Sequence, residues 1–423
     1  MSEKVVIIGA GPTGLLLAHY LLRREQYQVE IYECRHDPRQ TEFETERTFP
    51  INLQERGRKA LRAIEGLETA ITQESVWIYG TNSHSKKSRR IPRKQPLVCL
   101  DRNQLVKLIL QHLEKTVDSN RLKLSFNSKL ISLDDTKNTV NIEVENGEVL
   151  TVNYDRLVAA DGARSRIRQH LVNKKGLESE VSYVPEDYKS VFFQQPSNPD
   201  LQLDRDTIHA QTLKDRTRML LVPQPEDQLN GVIVFDTKNN PFENFSSQTD
   251  VFEFMKTNFP FFSPCLSQEE AEALLERPIG KVLTVRCDRF HEDGKILMLG
   301  DAAHAVSPSL GQGCNAGLED VLIFDQVLDQ YQDNWEQALP AFSEKRVPDA
   351  HALKELSDYA FPRRKILVAE LFLRLKIKRF LNRLFPNLFK PFVFDLLLDS
   401  NISYREILQA NQGWINRLKK ADR

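Results

Sequence analysis

The chain has 423 residues, 40% apolar and 28% charged, enough for about two or three domains that each bury a core, which excludes a disordered chain and a small disulfide scaffold. Lys plus Arg (58) against Asp plus Glu (59) leaves a net charge of −1, so the chain as a whole carries no electrostatic footprint for nucleic acid. Its five cysteines, Cys34, Cys99, Cys265, Cys287 and Cys314, are scattered and never form a C-x-x-C pair, which argues against a disulfide framework and a cysteine zinc site and for a reducing, cytoplasmic compartment.

The apolar run at residues 5–8 is only a strand long and runs into glycines, so the N-terminus reads as fold rather than as a secretory signal. A strand over 4–9, a glycine turn, a helix over about 12–24 and a strand over 28–33 make a βαβ opening. Helical and loop-rich sequence is expected to about Leu113, interrupted at residues 86–94 by a basic stretch with Pro92, an exposed loop or hairpin. Residues 121–160 alternate apolar and polar around the turn Asn146-Gly147, and RLVAADG (156–162) is a buried strand ending in a tight turn. From about Ser182 to Arg286, strands with proline-bearing turns suggest a separate, largely β domain. The strand over 295–299 and the turn GDAAH then resume the α/β texture, so the first domain is split by an insertion. After Pro348 the chain reads as helical, and no stretch reaches the ~20 apolar residues of a membrane-spanning helix.

The strongest local signal is VVIIGAGPTG, in which Gly9, Gly11 and Gly14 stand at G-x-G-x-x-G spacing between a strand and a helix. Gly9 permits the tight turn, Gly11 lets a pyrophosphate approach the backbone, and Gly14 lets helix and strand pack closely. Glu33 closes the second strand, where a carboxylate holds ribose hydroxyls. This fingerprint alone does not separate NAD from FAD. Two later motifs do: AADGARSRIR places Asp161 and Gly162 at a strand-to-helix turn, and KILMLGDAAHAVSPSLGQGCNAG places Gly300 and Asp301 at a strand end before a glycine-rich helix start. Asp301 can accept hydrogen bonds from a polyol such as ribityl, and free backbone N–H groups from Gly313 to Asn315 can face an electron-poor ring; a flavin has both parts.

Together these motifs resemble the group A FAD-dependent aromatic hydroxylases of the para-hydroxybenzoate hydroxylase fold, and within that class most closely the kynurenine 3-monooxygenase family. The likeness covers most of the chain: Ile51-Asn-Leu with RGRKAL (56–61), LDRNQL (100–105), NFPFF (258–262), GDAAHAVSPSLGQGCNAGLEDVLIFD (300–325) and RVPDAHAL (346–353), with residues 175–250 matching least. It implies an α/β fold: a discontinuous Rossmann-like FAD-binding domain (1–180 and 287–350), an inserted mostly β substrate domain (181–286) and C-terminal helices (351–423). It also implies that Glu33 and Arg35 contact the adenosine ribose and its surroundings, Arg102 the FAD phosphates or the dimethylbenzene side, Asp301 the ribityl and pyrophosphate region, and Cys314 with Asn315 the pyrimidine edge. No side chain is assigned a catalytic role and no metal is expected; His304 reads as a structural residue.

With no second dinucleotide fingerprint, NAD(P)H would bind transiently, reduce FAD and let dioxygen form a flavin hydroperoxide that hydroxylates an aromatic small molecule. The N-terminus of the helix near Asn315 would favour the anionic reduced flavin through its dipole. Two alternatives stay open: a flavin-dependent reductase or dehydrogenase of an isoprenoid or quinone-like lipid, and a non-catalytic FAD-binding protein.

The resemblance breaks at the substrate. Kynurenine-hydroxylating members carry a carboxylate-binding arginine shortly before the hairpin, and residues 76–85 (VWIYGTNSHS) contain none. A family tyrosine after Ile-Pro corresponds to Arg93, and an asparagine in the C-terminal helix to Ala360; only Tyr404 keeps its identity. Kynurenine is therefore expected to be a poor substrate, unless Arg90 or Arg93 rebuilds the clamp. The segment LFLRLKIKRFLNRLFPNLFKPF (371–392) sets Leu373, Ile377, Leu381, Leu384 and Leu388 near one helical face with arginines and lysines elsewhere, which reads either as peripheral membrane contact or as packing on the protein's own core.

Overall fold

The computed structural model describes residues 2–40, 50–85, 88–359, 361–362, 364–385, 388 and 391–422. The chain opens with β1 (Glu3–Ile8), α1 (Pro12–Leu22), β2 (Tyr27–Tyr32), β3 (Pro50–Leu53), α2 (Glu55–Arg62), α3 (Leu67–Gln73), β4 (Val76–His84), β5 (Arg89–Asp101) and α4 (Arg102–Thr116). It continues through β6 (Leu122–Ser125), β7 (Lys129–Asp134), β8 (Thr139–Glu143), β9 (Val149–Asn153), β10 (Arg156–Ala159) and α5 (Arg166–Lys175). Then come β11 (Ser179–Gln194), β12 (Thr207–Thr212), β13 (Arg218–Pro223), β14 (Gln228–Asp236), α6 (Gln248–Asn258), α7 (Gln268–Glu276) and β15 (Gly280–Cys287). The last part holds β16 (His291–Glu292), β17 (Ile296–Met298), α8 (Asp301–His304), α9 (Gly313–Gln330), α10 (Trp335–Asp358), α11 (Lys365–Leu384), α12 (Val393–Leu396) and α13 (Tyr404–Asp422).

One sheet has the order β16-β17-β10-β1-β2-β6, parallel except at the β16 edge. Its central strand β1 is a continuous apolar run with Val5, Val6 and Ile7 inaccessible, as a strand covered on both faces must be. Helix α1 starts with Pro12, where the missing N–H is not needed, and is buried from Gly14 to Leu22.

The second sheet has the order β15-β11-β14-β13-β12-β4-β5-β3, antiparallel except for the parallel pair β4 and β12. It takes three strands from residues 50–101, so it reaches beyond the 181–286 insertion read from the sequence: the basic stretch there does lie at a hairpin, but one whose long arms pair with β12 and β3. Lys86 and Lys87 fall outside the described residues. Alternation along β13 sets the two faces. Met219 and Leu221 pack with Val251, Met255 and Leu274 of α6 and α7, while Leu220 and Val222 point the other way, with Ile78, Leu97, Cys99 and Ile208. A small meander, β7-β8-β9, completes the strands. The C-terminal helices bury Leu353, Leu356, Leu367, Leu371, Tyr404 and Trp414 in a core of their own that also touches Ala316 of α9.

Candidate active site

The glycine turn after β1 is shaped by its own backbone on two sides and open on the third. Gly9 has φ +108°, and a Cβ there would sit 2.3 Å from the Ala160 carbonyl oxygen; a Cβ on Gly14 would sit 2.1 Å from the Gly9 oxygen. On Gly11 it would meet nothing nearer than Arg102 Nη2 at 3.9 Å. Gly11 thus faces a cleft of about 710 Å³ lined also by Glu33, Arg35, Arg102 and Asp161. Glu33 is fixed at the end of β2, accepting from Ala10 N (2.9 Å) and Arg35 N (3.0 Å). Asp161 accepts from Arg166 N through Oδ2 (2.8 Å), but its Oδ1 is buried with no hydrogen-bond partner among the described residues, and burial pushes the carboxyl above its ordinary value. Arg35, Arg102, Lys107, Lys129, Arg164 and Arg166 all line the cleft, and among the described residues none is in an ion pair. A cleft of this charge suits a pyrophosphate.

Arg102 lies on the wall of this cleft. Burial lowers the affinity of its guanidinium for its proton, Arg35 adds to that, and Glu33, Asp301 and Cys314 oppose it from both sides. Asp301 opens α8 after Gly300, whose φ of +56° and N–H bond to Asp320 Oδ2 (3.0 Å) make the sharp turn. Asp301 is reached by solvent, yet the surrounding chain desolvates it and pushes its carboxyl up against the pull of His304 and Arg102. A Cβ on Gly313 would lie 3.9 Å from Asp301 Oδ1, so the carboxylate faces the start of α9. That helix has no side-chain cap, which leaves the amides of Gly313, Cys314 and Asn315 without helical acceptors. Burial and the nearby Asp301 push the Cys314 thiol up to about 12. Arg168 ties the two turns together, donating to Ala302 O (2.7 Å) and Ala163 O (2.6 Å).

A cationic cradle for a pyrophosphate, a carboxylate with unused acceptor capacity beyond it, and a row of free amides beyond that fit FAD, with its ribityl chain and electron-poor ring, better than a nicotinamide dinucleotide. Residues 2–356 match the family model described as FAD binding domain. Kynurenine 3-monooxygenase of Sus scrofa is 30% identical over 415 residues, covering 96% of this chain and 85% of that protein. The chain belongs to the kynurenine 3-monooxygenase family of FAD-dependent aromatic hydroxylases. FAD is its cofactor. The Legionella pneumophila (strain Corby) kynurenine 3-monooxygenase is also 30% identical, over 84% of this chain and 79% of its own length. A solved tetrameric form of 2-methyl-3-hydroxypyridine-5-carboxylic acid oxygenase has the same fold, with a TM-score of 0.69 and 23% identity over 85% of this chain and 91% of that one.

The Asn315 side chain does not point to a flavin edge: it is buried, with Oδ1 accepting from Gln54 N (2.7 Å) and Nδ2 donating to Asn52 O (2.9 Å) and Gly311 O (3.0 Å). Only its backbone N–H is left for a ligand. Tyr404 is not on an open substrate face either; it is fully buried, its hydroxyl donating to Gln312 Oε1 (2.8 Å) and its ring lying 4.3 Å from the Arg56 guanidinium carbon. Arg93 is half-buried on β5. Ala360 lies outside the described residues. His304 is structural as expected, donating to Asp320 Oδ2 at 2.6 Å.

The sequence reading assigned no role to the buried charge cluster along α9. Arg346 pairs with Asp320 (2.7 Å), Asp349 (2.8 Å) and Glu319 (3.3 Å), and Arg56 pairs with Glu319 (2.8 Å). Burial alone would pull the His304 imidazole down, but the Asp320 carboxylate raises it; burial would push Asp320 up, but His304 and Arg346 hold it low. The signal was present in RGRKAL and RVPDAHAL, whose arginines are spaced far apart in the chain and meet only in the fold.

Proposed function

We propose that this enzyme takes hydride from a transiently bound NAD(P)H and uses dioxygen to hydroxylate an aromatic small molecule other than kynurenine. Bound FAD supplies both the hydride acceptor and the oxygen-activating centre. Gly11 and Arg102 hold its pyrophosphate, Glu33 the adenosine ribose, with Arg35 beside it, and Asp301 the ribityl hydroxyls, while Asp161 supplies a spare acceptor at the cleft and the amides of Gly313, Cys314 and Asn315 bind the electron-rich edge of the reduced ring. The apolar face made by Ile78, Leu97, Ile208 and Val222 keeps water from the aromatic ligand.

The observation that carries the choice of substrate is that β4 has no arginine anywhere along Val76–His84. Losing a charge-assisted clamp removes about 1.5–3 kcal/mol per hydrogen bond. The test is a panel of aromatic ligands with the FAD-loaded enzyme, following NAD(P)H consumption and labelled dioxygen in the product. Label in the hydroxylated product of a non-kynurenine aromatic supports the reading. Coupled kynurenine hydroxylation matching the best ligand refutes the substrate assignment, and turnover without label refutes monooxygenation.

The same reading places the enzyme on an anionic membrane surface through α11. Leu373 (58% exposed), Ile377 (48%), Phe380 (63%) and Leu384 (53%) face solvent, while Leu367 and Leu371 turn to the core. Arg374, Lys376, Lys378, Arg379 and Arg383 flank the exposed stripe, an apolar face with a cationic border that suits an interfacial helix. Among the described residues no helix is long and apolar enough to cross a membrane. Binding to phosphatidylserine vesicles that survives in Ile377→Glu/Phe380→Glu would refute this.

A further inference from the structure

Away from the flavin cleft, β11, β15, α10 and α13 meet around a second cavity of about 410 Å³. Some of the charges that line it are spent on one another: Lys354 pairs with Asp358 at 2.7 Å, and Lys419 with Glu355 at 2.8 Å. Three are not. Glu180 and Arg286 stand directly opposite each other in the β11–β15 pairing, where side chains are near enough to meet, yet among the described residues neither makes an ion pair or a side-chain hydrogen bond. The same holds for the Arg405 guanidinium in the first turn of α13. His351 adds a fourth group of fixed polarity. Its Nε2 lies 2.8 Å from the Cys287 carbonyl oxygen, which can only accept, so that nitrogen carries the proton. Burial, with Arg286 nearby, pulls the imidazole below its ordinary value against the Cys287 bond, so the ring is neutral and Nδ1 is a bare acceptor. Nδ1 is neither bonded within the described chain nor sealed from solvent, and His351 lines the cavity.

Two guanidinium donors beside a carboxylate and a bare imidazole nitrogen complement a molecule that carries an anion and an ammonium close together. A lone anion meets repulsion from Glu180, and a lone cation meets it from the two arginines. The cross-strand spacing of Glu180 and Arg286 sets the two ligand charges a short distance apart, as on a single carbon. We infer that this cavity binds a free α-amino acid, with its carboxylate on Arg286 and Arg405, its ammonium on Glu180 and His351, and an apolar side chain against Pro348, Ala352 and Leu408, and that the occupant steadies the flavin loop. The coupling follows the contacts of α13. Arg405 N donates to Asp349 Oδ1 (2.8 Å), Asp349 pairs with Arg346 (2.8 Å) and Arg346 with Asp320 (2.7 Å), which accepts from Gly300 N (3.0 Å) next to Asp301. The residue before Arg405 is Tyr404, whose hydroxyl holds Gln312 Oε1 at 2.8 Å. A ligand that fixes the Arg405 side chain therefore fixes the turn of helix on which both contacts depend.

The test titrates L-leucine, L-phenylalanine and L-tryptophan into the FAD-loaded enzyme by calorimetry, beside the N-acetyl and carboxamide derivatives of each. At least one amino acid should bind, and blocking either its ammonium or its carboxylate should weaken it at least about tenfold, the loss expected for one charge-assisted contact. Arg286→Gln and Arg405→Gln, both at exposed positions, should each weaken the amino acid to a similar degree with an unchanged urea midpoint. Glu180→Gln should weaken it too, and should narrow the gap between the free amino acid and its N-acetyl form. A saturating amino acid should slow the loss of FAD on dialysis, and Arg405→Gln should abolish that slowing. No binding of any of the three at millimolar concentration overturns the inference, as does binding indifferent to the blocked ammonium. Binding that survives in both arginine variants puts the ligand elsewhere and overturns it equally, and binding that leaves FAD loss unchanged overturns the link to the flavin loop.

Discussion

The glycine fingerprint can be taken apart by two substitutions that look alike in sequence and differ in space. A methyl group on Gly14 would lie 2.1 Å from the Gly9 carbonyl oxygen, a backbone atom that cannot rotate away, so β1 and α1 must separate by more than an ångström. Overpacking of this kind costs about 1–3 kcal/mol and often more where backbone is involved. A methyl group on Gly11 meets only the tip of Arg102 at 3.9 Å, and Gly11 has extended angles (φ −73°, ψ 175°) open to alanine. Its folding cost should stay within about 1 kcal/mol, the loss of a glycine N-cap being partly offset by a stiffer unfolded chain. The methyl occupies the path of the pyrophosphate, however. Because bound FAD stabilises the fold by mass action, unfolding must be compared on flavin-stripped protein and FAD affinity measured separately by fluorescence titration. Gly14→Ala should lower the urea midpoint of the stripped protein, and Gly11→Ala should leave it nearly unchanged while weakening FAD at least about tenfold. The reasoning fails if Gly11→Ala binds FAD like the wild type, or if the stripped Gly14→Ala protein is as stable as its parent.

The buried pair His304 and Asp320 gives stability a signed pH dependence. The Asp320 carboxyl is held below its ordinary 3.8, so its contribution is present above that value and is lost as pH falls through the depressed one; His304 is held above its ordinary 6.5, so its contribution is present below 6.5 and is lost as pH rises through the raised value. Urea midpoints measured upwards from pH 6.5 should decline in the wild type more than in His304→Gln; parallel profiles would remove the argument. Asp320→Asn leaves Arg346 and His304 short of their shared counter-ion and should cost about 3–5 kcal/mol in urea unfolding, a small effect counting against the pairing. Asn315→Ala strands the buried Gln54 N–H and should cost about 1–3 kcal/mol.

The fold was legible where physical constraints are local. A tight turn, a close helix approach and a fully covered strand each demand particular residues at fixed spacing, so Gly9, Gly14 and the run from Val5 to Ile8 announced the dinucleotide half directly. The acceptor at Asp301 and the uncapped start of α9 were legible for the same reason. What the sequence did not disclose depends on contacts across long stretches of chain. Strands β3, β4 and β5 join a sheet whose other members lie about a hundred residues on, and nothing in the alternation of β4 names β12 as a partner. Arg56 and Arg346 carried no assignment because the carboxylates they meet, Glu319 and Asp349, are supplied by the fold. That the Asn315 side chain braces β3 was not legible either, because its partners at Asn52 and Gln54 lie some 260 residues earlier in the chain.

The C-terminal layer changes how the membrane question must be asked. Removing everything from Leu371 onward looks like a clean way to detach an interfacial helix, but the deleted part includes Tyr404, which donates to Gln312 Oε1, and the backbone of Arg405, which donates to Asp349 at 2.8 Å. It also includes the carbonyls of Asp399 and Ile402 that accept from Arg56. Gln312 in turn donates to Gln54 (2.7 Å), so the chain of contacts runs from α13 to the loop that begins α9. Truncation would therefore leave a buried oxygen, a carboxylate and a guanidinium short of partners beside the flavin, and the protein would lose FAD whether or not it had ever touched a lipid. Tyr404→Phe isolates this effect: it removes one hydroxyl from a closed site, strands Gln312 Oε1, and should cost about 1–3 kcal/mol with a matching fall in FAD retention. The Ile377→Glu/Phe380→Glu protein, altered only on the solvent face of α11, should keep its FAD through the same dialysis. If Tyr404→Phe retains FAD like the wild type while the α11 variant loses it, the wiring from the C-terminal helices to the flavin loop runs through α11 and not through Gln312.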